Sequence, residues 1–404
     1  MKKLCILWPL LLLAFISCKQ DSDKKQTKKE ISLHKSSTLI QKNISKTKKM
    51  EEIEFENFIK KMPLEDRIAQ LFIINLEGNS NFRSYETFSQ VTGKIDERPL
   101  VAGGYLFFSY NLCETPDLQK SFSENIFNYC KKNNEIPPFL AIDQEGGYVN
   151  RLKKLTGGLP SQSKVASEYT VEEAYKLYSD QAKKMAEMGF TMNLAPVMEV
   201  CTDDNKDFLE GRSFGSQEQV IDYGRACVNA YQNNGIAAVI KHFPGNTNTD
   251  PHSGLPEITL NKEELEESLI PFYDNLDYAP AGILMSHAIT DSVDKGVPSC
   301  LSHIWVTEIL RNEWNYQGII FSDDIFMGAL QKNGYSPEKA AIMAIEAGID
   351  CIMISEKRFS KPAKVIYEKA LEDSEFESKI NDSVKRILKY KVESHIVELK
   401  DIYK

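Results

Sequence analysis

Eight short apolar runs recur along the chain, at 71–76, 104–108, 139–142, 191–194, 237–240, 282–285, 318–321 and 351–354. Stretches of helical periodicity lie between them at 171–188, 217–232, 262–276, 302–313 and 337–347. A short, continuous apolar run is what a strand needs when helices cover one face and a core fills the other. Strands that alternate with helical segments imply parallel pairing through helical crossovers, hence an α/β fold. Two architectures meet the pattern: a closed (β/α)8 barrel and an open, doubly wound sheet. No GxGxxG follows a predicted strand and no P-loop is present, so nothing marks a nucleotide site.

Polar residues fall at the ends of these runs. Asp143 follows FLAI, Asn193 lies in TMNLAP, Lys241 and His242 follow AAVI, His287 follows ILMS, and Asp323 follows IIFS. In a barrel all carboxyl-terminal strand ends face one way, so these side chains are expected to converge on one mouth. An Asp at a strand end also serves as the cap of the next helix, and Asp324 is read that way.

The formal charge of −9 averages three unlike regions. Residues 1–18 carry +2, residues 19–50 carry +7, and residues 51–404 carry −18. An acidic body makes nucleic acid an unsuitable partner. At the start, two lysines precede 13 mostly apolar residues from Leu4 to Ile16, short of the roughly 20 that span a membrane. Phe15-Ile16-Ser17-Cys18 resembles a bacterial lipobox, although Phe15 departs from the usual Leu. The expectation is therefore a lipoprotein signal peptide at 1–17, with Cys18 lipidated and anchoring the chain to a membrane. The Lys/Ser/Thr-rich segment at 18–50 is expected to be a flexible basic tether, and 51–404 the folded body. Six body cysteines (Cys113, Cys130, Cys201, Cys227, Cys300 and Cys351) form no CxxC pair, so zinc and thioredoxin-like chemistry lack support.

The longest loop runs over 241–258, KHFPGNTNTDPHSGLPEI, rich in turn formers. Asp250 and His252 stand two residues apart in it. On an extended backbone they lie on one side, where a carboxylate fixes the imidazole tautomer and raises its proton affinity. That is the chemistry of a general acid near neutral pH. The string D-P-x-S-G is equally good turn chemistry, and the spacing alone leaves both readings open.

The sequence Asp143-Gln144-Glu145-Gly146-Gly147 with Arg151, then Gly211-Arg212-Ser213-Phe214-Gly215, resembles glycoside hydrolase family three. Lys241-His242-Phe243-Pro244-Gly245, Asp250-Pro251-His252 and Phe321-Ser322-Asp323-Asp324 continue the match in order. The resemblance runs from about Gln70 to Ile354 and is nearest to the bacterial β-N-acetylglucosaminidases that trim peptidoglycan fragments.

It implies a (β/α)8 TIM-type barrel, a single catalytic domain and no second C-terminal domain. It also implies a retaining double displacement, with Asp323 as nucleophile, His252 as acid/base and Asp250 as its partner. Asp143, Arg151, Arg212, Lys241 and His242 match positions that hold the sugar's hydroxyls. No metal or organic cofactor is required, and a monomer is expected. Departures are a four-residue link, Asn246 to Thr249, where the family often has six, and Pro251 for Ser. Tyr148 stands for Arg, and Glu199 for Asp. Two alternatives remain at this point: a glycoside phosphorylase, because a neutral imidazole repels phosphate less than a carboxylate does, and a non-catalytic surface lipoprotein that keeps the fold.

Overall fold

The computed structural model describes residues 55–398. The expected signal peptide, Cys18 and the tether lie outside the described residues.

Each expected apolar run is a strand: β1 (Phe72–Asn75), β2 (Gly104–Phe107), β3 (Phe139–Ile142), β4 (Met192–Asn193), β5 (Ala237–Phe243), β6 (Gly282–Met285), β7 (Ile319–Phe321) and β8 (Ile352–Ile354). Every residue of these strands is buried, which is why the runs are continuously apolar. All neighbours pair in parallel, in the order β7-β6-β5-β4-β3-β2-β1-β8. A parallel bridge between Phe321 and Cys351 joins the two ends. There the Ile320 carbonyl accepts the Asp350 and Cys351 N–H groups, and Ser322 donates to the Cys351 carbonyl. The sheet is thus closed into the (β/α)8 barrel; the open doubly wound sheet is excluded.

The helices form the outer layer: α1 (Leu64–Gln70), α2 (Pro116–Asn133), α3 (Val171–Glu187), α4 (Gln217–Gln232), α5 (Lys262–Asn275), α6 (Pro337–Ala347), α7 (Ser360–Glu372) and α8 (Ser374–Glu393). Between β6 and β7 the helical stretch Ile304–Glu313 is wound more widely, with the Trp314 N–H reaching back to the Ile309 carbonyl. Local sequence sets the starts. Thr170, Ser216 and Asn261 cap α3, α4 and α5, each answered three residues on by Glu173, Gln219 or Glu264. Thr115 and Ser336 cap α2 and α6 ahead of a proline. The last of these helices, α8, begins at Ser374 on its Asp373 cap.

The amino-terminal end of the barrel is sealed by buried charge. Asp350 accepts from the Ile320 N–H at 2.8 Å and from Arg386 at 2.7 Å, and it pairs with Arg311. Lys391, on α8, donates to Gln70 and to the Gly103 carbonyl, each at 2.8 Å. Its burial pulls its pKa down to about 7. The opposite, carboxyl-terminal end is open and carries the loops. Cys351 is buried, and all six described cysteines are free thiols.

Candidate active site

A cavity of about 710 Å³ opens at the carboxyl-terminal mouth. Leu106, Leu284 and Met353 of the strands line it, together with Asp143, Glu145, Arg151, Arg212, Lys241, His242, Asp250, His252 and Asp323. All eight residues expected in catalysis and sugar binding therefore stand around one space, together with Glu145.

The walls follow from local sequence. After β3 the chain makes a tight hairpin, Gln144–Gly146 against Val149–Asn150. Gly146 turns it at φ 99°, where a Cβ would stand 2.1 Å from the Pro160 carbonyl oxygen, so no other residue fits. The hairpin sends Glu145 inward. In the 211–215 loop Phe214 is buried against Tyr178, and Arg212 is turned toward Glu145. The loop expected at 241–258 begins later than expected: Lys241, His242 and Phe243 extend β5. Leu284 and Met285 of β6 on one side and Val197, beyond β4, on the other supply enough backbone pairing to carry the strand through two polar residues.

The floor is an ion-pair network. Glu145, 1% exposed, receives Arg212 through two bonds of 2.8 and 2.9 Å, and Lys241 at 2.6 Å. Lys241, 3% exposed, also donates to Asp143 at 2.7 Å. Burial would raise the Glu145 carboxyl, but the two cations outweigh it and hold the group well below the usual carboxylate range. Burial would lower Lys241, yet Asp143 and Glu145 push it up; Arg212 is pushed up chiefly by Glu145. Glu145, Lys241 and Arg212 are therefore held in their charged forms. His242 donates from Nδ1 to Glu199 at 2.7 Å, which leaves Nε2 as an acceptor facing Arg212 at 3.4 Å. Arg151 differs from these. Among the described residues its guanidinium forms no hydrogen bond or ion pair, and it lies over the Phe108 ring at 5.8 Å. Tyr148, 80% exposed, stands at the rim.

Asp250 and His252 meet within a turn. The imidazole Nδ1 lies 2.7 Å from Asp250 Oδ1, which also accepts the His252 N–H at 2.9 Å. The Asp250 carbonyl meanwhile accepts the Ser253 and Gly254 N–H groups, closing the turn. The bonds from His252, backbone first and ring second, lower the Asp250 carboxyl. The imidazole is 75% exposed, so its Nε2 side is open. The loop is strapped at both ends. Asn248 binds the Asp203 carbonyl at 2.9 Å and the Asp207 N–H at 2.9 Å. The Pro251 carbonyl accepts the Ala329 N–H at 3.2 Å, and Lys332 reaches the Ser253 carbonyl at 3.2 Å.

Asp323 follows β7, and its Oδ1 accepts the Asp324 N–H at 2.7 Å. Asp324 is not a helix cap. Its carboxylate accepts the N–H of Phe326 at 3.0 Å and of Ser355 at 3.1 Å, tying the turn after β7 to the end of β8. Burial raises its pKa. Two of the strand-end residues do not face the cavity. Asn193 exchanges bonds with the Gln144 backbone, and His287 is buried beneath Asp324. Each meets a neighbouring loop before it can reach the mouth. Sequence reasoning left out Glu145, although it stands in the quoted Asp143–Gly147 string, and Glu199, marked only as a departure.

The chain matches the glycosyl hydrolase family 3 N-terminal domain over residues 63–390. It is 31% identical over 283 residues to a β-hexosaminidase from Alkalilimnicola ehrlichii, covering 66% of this chain and 79% of that protein. β-hexosaminidase A of Pseudoalteromonas piscicida is 27% identical, and the match covers 62% of this chain but 45% of that one. Among solved structures, a family 3 β-N-acetylglucosaminidase from Paenibacillus superposes with TM-score 0.73 at 26% identity, over 83% of this chain and 63% of its own. The Mycobacterium tuberculosis protein LpqI superposes with TM-score 0.69 at 26% identity, over 83% of this chain and 96% of its own. The chain thus spans about half to two thirds of some of these relatives and nearly the whole of others. A match covering the closed barrel and every segment around its mouth makes this chain a member of glycosyl hydrolase family 3.

Proposed function

We propose that this chain is a retaining exo-β-N-acetylglucosaminidase that removes terminal β-linked N-acetylglucosamine from peptidoglycan fragments or other GlcNAc glycosides. The observation that carries the reading is the pairing of a carboxylate, Asp323, with an Asp-bonded imidazole, His252, across one cavity. The cavity volume lies within the ordinary range for small-molecule sites, about 300–1,000 Å³.

In this reading Asp323 attacks the anomeric carbon through Oδ2 while the bond to the leaving oxygen breaks. His252 gives that oxygen its proton, and the sugar is left as an ester of Asp323. Water then enters; His252 takes its proton as the oxygen attacks the same carbon and the ester bond breaks. Two inversions leave the configuration retained. Asp250 holds the ring with its proton on Nδ1 after each transfer. Arg151 and the free oxygen of Asp143 bind sugar hydroxyls, and Arg212, Lys241 and His242 complete that wall. The residues are sufficient for these steps with no cofactor. We further infer export, lipidation at Cys18 and a monomer held on a bacterial membrane by the 18–50 tether, a reading supported by the lipobox-like string.

The test is release of an aryl group from an aryl β-N-acetylglucosaminide by the protein and by Asp323→Ala, with and without phosphate. The expected result is release that does not need phosphate and is lost in the variant. Equal release by Asp323→Ala would remove the nucleophile. A sugar phosphate formed only with phosphate would make the protein a phosphorylase, and no release by the parent would leave a binding lipoprotein.

A further inference from the structure

His287 and Cys300 lie behind the cavity and take no part in the steps above. His287 follows β6 and is fully buried. Its Nε2 stands 3.0 Å from the Asp324 carbonyl oxygen, and its Nδ1 stands 3.1 Å from Cys300 Sγ. A carbonyl only accepts, so Nε2 carries the proton and Nδ1 is left to accept from the thiol. The thiol has a proton to give: burial, reinforced by the charge of Asp323, pushes Cys300 far above the ordinary thiol range. Cys300 is itself fixed, since its N–H donates to the Ser286 carbonyl at 3.1 Å and the neighbouring Ser299 N–H to Ala288 at 2.9 Å.

These bonds run in one direction, from the Cys300 S–H through the imidazole to the Asp324 carbonyl. The other polar groups of Asp324 are also held. Its carboxylate binds the Phe326 and Ser355 N–H groups, and its own N–H is the donor on Asp323 Oδ1. Asp324 is therefore clamped from β6 by its carbonyl and from the end of β8 by its carboxylate. What it presents to the cavity is a fixed N–H that pins one oxygen of Asp323 and leaves the other toward the sugar.

We propose that His287, oriented by Cys300, is a positioning residue for the nucleophile, locking the Asp324 backbone that sets the attack geometry of Asp323. The inference rests on the reading of Asp323 as nucleophile. A shift of about 1 Å in a reacting group costs on the order of 100-fold in rate, so loss of the clamp falls on the chemical step and not on sugar affinity. A thiol at 300 is replaceable by a hydroxyl, which also donates to Nδ1, but not by a methyl group.

The experiment uses the full chain with His287→Ala, Cys300→Ser and Cys300→Ala, assayed well below each melting temperature. One readout is kcat and KM on the aryl glycoside. The other is the rate of covalent labelling by a fluorinated N-acetylglucosaminyl fluoride, followed by intact mass. In His287→Ala, kcat and labelling are expected to fall together by roughly 10- to 100-fold, with KM within about twofold. Cys300→Ser is expected to stay within about threefold of the parent and Cys300→Ala to fall well below it. Labelling of folded His287→Ala at the parent rate, or equal rates for the two Cys300 variants, overturns the proposal. If His287→Ala does not fold, the Cys300 pair decides. A parent that is neither turned over nor labelled overturns the reading of Asp323, and this inference with it.

Discussion

Glu145→Gln isolates the buried network, because it keeps the size of the side chain and removes only its charge. In the parent one carboxylate faces Lys241 at 2.6 Å and Arg212 at 2.8 and 2.9 Å, at 1% exposure. Removing one partner from a buried ion pair costs about 3–5 kcal/mol, since the remaining charge stays desolvated. Asp143 still neutralises Lys241, and the Gln oxygen still accepts one Arg212 bond, so the lower end, about 3 kcal/mol, is the expected loss. For a domain of this size that is roughly a 4 °C fall in melting temperature. The pH dependence gives a second handle. Unfolded, this carboxyl titrates near 4.5; folded, it titrates well below that. Its contribution is therefore whole above the unfolded value and is lost as pH falls below it, by up to about 1.4 kcal/mol per pH unit. Urea unfolding of parent and variant is the assay, at pH 7 and at steps below 4.5. The gap should be widest at pH 7 and narrow with acid. A gap below about 1 kcal/mol at pH 7, or one that stays constant into acid, would refute the account of the floor as a mutually dependent ion network.

His252→Ala should lower kcat/KM about 10²- to 10⁴-fold for a glycoside with a poor leaving group, and much less for an activated aryl glycoside that needs no proton; equal losses would remove His252 from the acid role. Lys391→Met tests the sealed end of the barrel, where the buried ammonium titrates near 7 against 10.5 when unfolded. Below pH 7 both states carry the charge and the folded protein bears the full burial cost; between 7 and 10.5 only the unfolded state does, so the parent should gain stability on the variant as pH rises. A stability gap that is flat from pH 6 to 10 would contradict it. Cys18→Ser should release the protein from the membrane fraction and abolish its labelling by fatty acid; a variant that remains membrane-bound rules out the anchor.

The barrel was legible because burial on both faces leaves a strand no choice but an apolar run. Phe139–Ile142 and Gly282–Met285 coincide with their sequence readings, as do α4 and α6. The reading failed where a charged residue belongs to a strand. Lys241 and His242 looked like the start of a loop, and only the neighbouring strands and the Glu145 and Glu199 counter-charges make them part of β5. Strand-end position also says nothing of direction. Asn193 and His287 sit where Asp143 and Asp323 sit, yet each turns toward an adjacent loop backbone. Asp324 followed the same logic in reverse: it has the composition of a cap, but Met327 precedes the next helix and Asp324 serves the turn.

The two proposed reacting groups are held in opposite ways, and the difference follows what each must do. Asp323 sits two residues beyond β7, in a turn fixed from β6 and from the end of β8. A nucleophile attacks one atom along one line, so rigidity favours it. His252 rides on a long loop and is 75% exposed, where it can meet leaving groups of different size. Charge is partitioned in the same sense. Lys241 and Arg212 are consumed by Asp143 and Glu145, so among the described residues no Lys or Arg pairs with Asp323. A carboxylate without a cation keeps its full negative charge for the positive character that grows on the anomeric carbon. A lysine placed against it would take that charge for an ion pair. The ion-pair network therefore occupies Lys241 and Arg212, while the guanidinium of Arg151 forms no hydrogen bond or ion pair among the described residues.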